Sequence, residues 1–366
     1  MKKFRLFAAL LLFFSATGAY AQIVNLSNMS AEWIRTGNRN AATDAADIVY
    51  YNPAGLTKLA DGIHLNVSNQ TMIRRPEHTA DYGDWGDKER TYSHDGIDWF
   101  LPNAYAAYKK DNWAVYTGFC IPAGGASVNY PDGSATTQYI NSFFGGILKD
   151  QSLEASSIYY TGLLGGSFAI NEMFSISAGG KYIHAKNTAE IQVESFVIDY
   201  DENADGFGGV LGVNITPVPE LNIGMRYETV TRLDFKTKEN RDDLMQVTDG
   251  EKSRYDLPAI FGIGAAYAVT PELTLEYDFS YYFQSQADWG KDDNGDKYAE
   301  HAGDCYGTGI AAVYKASPVL TASAGICYTD FLWDDEDAYY ARLGSYETLY
   351  SDNVAFLIGV AYEVAA

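Results

Sequence analysis

Apolar and polar residues alternate along most of the chain from about residue 62 onward. In "LTLEYDFSYYF" one face carries Leu273, Leu275, Tyr277, Phe279, Tyr281 and Phe283, and the other carries Thr274, Glu276, Asp278, Ser280 and Tyr282. "LNIGMRYE" and "FSISAGGKY" repeat the pattern from Leu221 and Phe174. A period of two is the signature of a strand with two unlike faces. It predicts about twelve strands, near 62–72, 99–109, 112–122, 156–169, 172–186, 206–216, 220–231, 257–269, 272–285, 301–314, 318–330 and 352–363.

A soluble sandwich would alternate too, and a secreted β-protein is the competing reading. Two features favour a membrane barrel. Apolar faces end in tyrosine, phenylalanine or tryptophan, as an interfacial girdle requires. Connections also alternate in length: "YKKDNW", "AINEMF", "TPVPE", "AVTPE" and "KASP" are short, whereas 73–98, 123–155, 187–205, 232–256, 286–301 and 331–350 are long and acidic. Short periplasmic turns with long outer loops are the habit of outer-membrane barrels. Composition agrees, because 29 tyrosines and 34 glycines suit strands with aromatic ends and light interiors. No apolar run reaches the 18 residues that a spanning helix needs.

The first residues read as a secretory signal. Lys2, Lys3 and Arg5 precede an apolar run, and Ala19-Tyr20-Ala21 is an A-x-A cleavage site, which gives 1–21 as signal peptide. The formal charge is −22 for the whole chain and −25 once those three basic residues are removed. That excludes nucleic acid as a natural partner. Between signal and first strand lies "TDAADIVYYNPAGL", residues 43–56. Pro53 fixes its own φ and pushes Asn52 out of the helical region, so a short helix-compatible run ends in a forced turn at Asn52, Pro53, Ala54 and Gly55.

With that stretch in place, and with "NAYAAYKKDNWAVYTGF", "DGFGGVLGVNITPVPELNIGMRY" and "LPAIFGIGAAYAVTPELTLEYDFSYY" behind it, the chain resembles the FadL/TodX family of outer-membrane transporters for hydrophobic compounds and long-chain fatty acids. The resemblance implies an all-β, transmembrane antiparallel barrel whose lumen is plugged by an N-terminal hatch, here 22–60, with the barrel at 61–366. A barrel of this size is too wide for side chains alone to fill. Uptake of an apolar solute is implied, with hatch movement and sideways exit into the bilayer through a gap at a kink in the third strand. Gly118 and Pro122 are the residues of that strand able to weaken pairing, and an ordinary strand end at Pro122 is the alternative. The family barrel has fourteen strands against about twelve counted here, and "NVAFLIGVAYEV" resembles its twelfth. Segments 190–200 and 236–248 are candidates for two more, the alternatives being a truncated sequence or a smaller barrel. The competing function is a non-transporting surface adhesin or envelope-scaffold barrel.

Candidate chemistry is sparse. The five histidines show no metal spacing, no G-x-S-x-G elbow occurs, and neither an enzyme nor a cofactor is expected. "DENADG" places Asp201, Asn203 and Asp205 like the start of a calcium loop, but Gly212 stands where the twelfth-position glutamate belongs, so plain turns are the competing reading. "DDNGDKYAE" is a second incomplete match. Tyr139, Ile140, Phe143, Phe144, Ile147 and Leu148 give one outer loop a helical apolar spacing, either a capture surface for ligand or a helix packed on its neighbours. If Tyr314 pairs with Pro318 across "KASP", Cys305 faces Cys327 and a cross-strand disulfide is expected, with Cys120 free; two unlinked thiols are the alternative. The expected partners are a hydrophobic small molecule (fatty acid or hydrocarbon), outer-membrane lipid and lipopolysaccharide, and the barrel assembly machinery, with a monomeric state.

Overall fold

The computed structural model describes residues 29–75, 77–80, 89–291, 294–335 and 352–364. The expected signal peptide, and Asp292 of the second acidic loop, lie outside the described residues. Three short helical pieces come first: α1 (Ala31–Thr36), α2 (Ile48–Tyr51) and a 3-10 turn over Pro53–Lys58. The strands follow as β1 (Gly62–Ile73), β2 (Glu77–Ala80), β3 (Arg90–Ser93), β4 (Ile97–Lys110) and β5 (Trp113–Tyr130). After helix α3 (Ala135–Ser142) come β6 (Gln151–Ala169), β7 (Phe174–Val193), β8 (Phe196–Val218), β9 (Leu221–Glu228), β10 (Asp234–Asp242), β11 (Lys252–Arg254), β12 (Ala259–Ala268) and β13 (Leu273–Phe283). Helix α4 (Tyr298–Ala302) precedes β14 (Asp304–Ser317), β15 (Leu320–Leu332) and β16 (Asn353–Tyr362).

The main sheet follows β1-β4-β5-β6-β7-β8-β9-β12-β13-β14-β15-β16, antiparallel throughout. Those twelve wall strands match the twelve predicted from alternation. Helix α1 touches β14, β15 and β16 and also β1, so the sheet curls around the N-terminal segment. The outward face is apolar: Ile63, Leu65 and Val67 on β1 and Phe356, Ile358 and Val360 on β16 are each at least 70% exposed. Such a band is stable only against lipid. Among the described residues no helix is long and apolar enough to cross a membrane. The architecture is a transmembrane-type antiparallel β-barrel.

Strand lengths correct one expectation. Segment 187–205, expected as a loop, is almost all strand, with β7 and β8 joined by only Glu194 and Ser195, whereas 123–155 is strand only at its two ends, around helix α3. The cause shows along β7. Phe174, Ile176 and Tyr182 face outward low on the strand, with Ser175, Ser177 and Lys181 inward. Above Tyr182 the polarity reverses: Lys186 and Glu190 face out, and Ile183, Ala185, Ala189, Ile191 and Val193 are buried. Strand and twist continue while the surroundings change from lipid to water. Acidic composition there marks the solvated outer face of a strand, not a loop. The candidate strand at 190–200 is therefore the ends of β7 and β8, and β10, which overlaps 236–248, pairs with the raised end of β8 off the main strand order.

Candidate functional site

The N-terminal segment from Met29 to Leu59 is mostly buried against the inner face of the sheet, with helix α1 and residues 43–45 partly open. Its four-residue helix α2 is apolar on every side and fully buried (Ile48, Val49, Tyr50, Tyr51). As Pro53 demands, Asn52 leaves the helix with φ −155 and ψ 88, and Pro53 then opens the 3-10 turn. All four expected turn residues are buried. Asn52 Nδ2 donates to the Asn40 carbonyl at 3.2 Å and to the Val213 carbonyl of β8 at 3.1 Å. The Pro53 carbonyl accepts from Ser167 Oγ at 2.6 Å, and the Ala54 carbonyl accepts from Ser175 Oγ at 3.0 Å. Gly55 lies against the Ala42 carbonyl, where a Cβ would come within 2.6 Å. The turn is therefore fastened to β6, β7 and β8.

Charge completes the seating. Arg39 grips Asp47 through Nε (2.9 Å) and Nη2 (2.6 Å) and reaches Asp44 at 2.7 Å. Burial alone would weaken the Arg39 charge; Asp44 and Asp47 outweigh it and hold the guanidinium well above its ordinary proton affinity. Ser30 Oγ caps α1 by accepting from Trp33 N and donates to Asp47 at 2.8 Å. From the wall, Asp278 Oδ2 accepts the amides of Arg39 (2.6 Å) and Asn40 (2.9 Å). Arg226 Nη1 donates to the Tyr50 carbonyl at 2.7 Å, its guanidinium lies 5.0 Å over the Tyr50 ring, and Glu228 links it to Lys181. Gly224 permits this approach, because a Cβ there would run into the Asn40 carbonyl. Sequence reasoning placed Asp278 only on a polar face and did not single out Arg226. Their signal was the placement of charged side chains on inward-facing strand positions.

Around β5 the wall is irregular. The β4–β5 ladder runs from Lys110–Trp113 up to Ala104–Phe119 and goes no further. Above it β5 stays with β6, but its register slips by two residues between Cys120–Thr161 and Ser127–Ser156. Pro122 and Gly124 lie in that double bulge. Gly124 has φ +96 and sits against the Ser157 carbonyl, so only glycine fits. The strands meet again higher up, where Asp98 Oδ1 accepts from Ser127 N at 3.1 Å and Arg74 joins Asp98 and the Ser127 carbonyl. Pro122 is thus at the irregularity and not at an ordinary strand end. Gly118 is not: it pairs regularly with Tyr105 and Leu163. Its role is steric, since a Cβ would press on the Tyr105 ring (2.7 Å) and on Val49 of α2 (3.2 Å). Behind the irregular stretch lies an apolar cluster that includes Val49, Leu101, Tyr105, Cys120, Ile121 and Leu163. Tyr105 Oη donates to the Met29 carbonyl at 2.8 Å, and Met29 N donates to Tyr51 Oη at 2.9 Å.

The outer loop candidates divide. Helix α3 starts with a reciprocal Ser134–Thr137 capping box, and Ile140 is buried among Tyr130, Leu153, Ile191, Val193 and Ile198. Phe144 stacks on Phe196 at 5.3 Å, and Leu148 packs on the same cluster. Tyr139 meets Phe143 edge-on at 5.0 Å. Only Phe143 and Ile147 of the six are exposed. Ile140 is a packed helix position, while Phe143 and Ile147, past the end of α3, leave two apolar side chains exposed.

Neither the calcium-loop candidate nor its plain-turn alternative is realised, and the expected disulfide is absent. Asp201, Asn203 and Asp205 lie at alternate positions of β8, all on its outer face, so an extended backbone keeps them from converging on one ion. Asp205 instead accepts from Tyr182 Oη (2.5 Å) and pairs with His184 Nδ1 (3.0 Å). Among the described residues no cluster suits a metal. Nor do the cysteines meet: β14 runs on to Ser317, the hairpin turns at Pro318-Val319, and Tyr314 pairs with Ala322. Cys305 therefore faces Phe331, Cys327 faces Gly309, and all three thiols are free.

These features define a transmembrane-type β-barrel with its own N-terminal segment seated against the inner face of the wall. No protein-family model matches the sequence, and no curated protein matches it. Solved structures do match. The P. putida toluene transporter TodX aligns over 93% of this chain and 89% of its own, with a TM-score of 0.66 at 13% identity. A Pseudomonas aeruginosa FadL homologue aligns over 87% and 82%, with a TM-score of 0.59 at 14% identity. The CymD monoaromatic hydrocarbon channel aligns over 96% and 90%, with a TM-score of 0.55 at 12% identity. The chain has the FadL/TodX fold.

Proposed function

We propose that the protein is an outer-membrane channel for uptake of hydrophobic small molecules, in which residues 29–59 act as a hatch and the solute leaves sideways between β4 and β5. The observation that carries this reading is the end of the β4–β5 ladder at Ala104–Phe119, beside a double bulge and directly outside the apolar cluster around Val49 and Tyr105. A solute held in that cluster is next to lipid without crossing water, which would cost about 0.8 kcal/mol per methylene. Channels of the same fold carry toluene or monoaromatic hydrocarbons in their names, which supports an apolar cargo; long-chain fatty acids are the other class to test. Phe143 and Ile147 are suited to first capture at the surface.

The test is to remove two residues from 121–125, which cancels the two-residue slip and lets β5 run straight. Uptake of toluene and of oleate is then measured in proteoliposomes at equal barrel content. Loss of uptake by the straightened barrel supports sideways exit. Unchanged uptake would remove the β4–β5 route, and no uptake by the unaltered protein would favour a surface or scaffold role.

A further inference from the structure

A cavity lies on the opposite side of the hatch from the β4–β5 irregularity. It has a volume of about 340 Å³ and opens between Trp33, Gly37, Asn40, Tyr50 and Tyr51 of the hatch and strands β9 and β12–β16. That volume is enough for a small organic molecule. Its character differs from the apolar cluster beside β5. The wall contributes Arg226, Asp278, Ser280, Tyr282, Thr329 and Asn353. We propose that this cavity is a binding site for a neutral, hydroxyl-bearing small molecule such as a phenol, separate from the route taken by purely apolar solutes.

Three observations carry the assignment. Arg226 is 5% exposed, and although both of its terminal nitrogens are engaged, its buried Nε has no partner. An orphaned buried donor at the edge of a cavity is costly unless a ligand oxygen or water meets it. Next, the lining carries groups of both kinds, the guanidinium of Arg226, itself paired with Glu228 behind it, and the carboxyl of Asp278. A carboxylate ligand would meet Asp278, and an ammonium would meet Arg226, so either ion enters against a like charge. A hydroxyl both donates and accepts and meets neither objection. Finally, the space is made by the backbone. Gly307 faces inward on β14, and a Cβ there would meet no atom closer than 3.9 Å. The opening beside it is room, not a contact surface for the hatch.

Gly307 also supplies a clean variant. Its Cβ position is free, so Gly307→Val adds volume at the cavity wall from an unstrained branch point. Binding of 4-methylphenol, toluene and 4-methylbenzoate to the full-length detergent-solubilised barrel is measured by calorimetry, for the unaltered protein and for Gly307→Val and Tyr282→Phe. Heat-modifiable migration checks that each variant is folded. The expected result is saturable 4-methylphenol binding that weakens at least tenfold in Gly307→Val and severalfold in Tyr282→Phe, with toluene binding unchanged. Binding of 4-methylphenol that ignores Gly307→Val overturns the site. Equal sensitivity of toluene or 4-methylbenzoate to that substitution overturns the preference for a neutral hydroxyl. Toluene uptake is read separately in proteoliposomes, so failure of this site leaves the channel reading standing, and the reverse.

Discussion

The carboxylate of Asp278 holds the backbone of Asn40 to the barrel wall, although 238 residues separate them in the chain. One oxygen takes the amides of both Arg39 and Asn40, at the point where the hatch passes between α1 and α2. No other wall carboxylate among the described residues accepts a hatch amide in this way. Replacing it strands two buried donors, at about 1–3 kcal/mol each. Asp278→Ala is therefore expected to loosen the hatch while β13 keeps its ladder. Planar-bilayer conductance should rise above that of the unaltered protein. A variant as tight as the parent would show that the latch has no part in sealing the lumen.

Asn52 fastens the other end of the same segment. Its side-chain amide bridges the Asn40 carbonyl and the Val213 carbonyl, joining two parts of the hatch to β8. Asn52→Ala loses both bonds, roughly 1 kcal/mol apiece. Uptake of a hydrophobic substrate is expected to fall while the heat-modifiable barrel persists. Unchanged uptake at equal surface abundance would take the turn out of the mechanism.

The three thiols offer a chemical check on register. With Cys305 opposite Phe331 and Cys327 opposite Gly309, no bridge forms. Alkylation in denaturant without reductant should label all three cysteines by mass spectrometry. In the folded barrel Cys120, fully buried behind Tyr105, should resist labelling. A tryptic peptide pair linked through Cys305 and Cys327 would contradict the observed β14–β15 pairing.

The outer loop separates packing from capture. Ile140→Ala removes a buried anchor of α3 and should cost about 2–5 kcal/mol of local stability, read as faster proteolysis between 131 and 150. Phe143→Ser with Ile147→Ser alters only exposed positions and should leave proteolysis unchanged while weakening binding of a fluorescent fatty acid. Parental binding by that double variant would argue against capture at this loop.

What could be read from sequence follows from the range of each interaction. Twelve wall strands were legible because alternation and short turns are local signals. Asn52-Pro53 was legible as a turn for the same reason, since proline dictates its neighbour's backbone. The raised ends of β5 to β8 were misread because charge at Lys186, Glu190 and Asp201 was taken for loop, when the strand had merely left the lipid. The cysteine pairing failed through a hairpin that turns at Pro318-Val319, which shifts the facing partner by four residues. Arg226 with Tyr50 and Asp278 with Asn40 were out of reach, because each joins positions far apart that only the closed fold brings together.

Two wall glycines, Gly224 facing inward and Gly162 facing outward beside Phe119 and Tyr182, allow a last and sharper test of how tightly the hatch is seated. Gly224 on β9 faces the Asn40 carbonyl so closely that any side chain would collide with it, and the Asn52 amide lies 2.5 Å from the same Cβ position. Gly162 on β6 has nothing within 4 Å of its Cβ position. Neither has a backbone angle that demands glycine, so the two substitutions differ in space and not in strain. Gly162→Ala should be neutral or slightly stabilising, because alanine loses less backbone freedom on folding. Gly224→Ala must displace the hatch, the strand or both, and overpacking of this kind costs about 1–3 kcal/mol. The hatch is the weaker partner, since β9 is held by ladders to β8 and β12. Limited proteolysis within residues 29–59, followed by mass spectrometry, should therefore detect exposure in Gly224→Ala alone, with the barrel still heat-modifiable. Equal resistance in the two variants would mean that the inner wall has slack at β9 and that glycine there serves some purpose other than close approach.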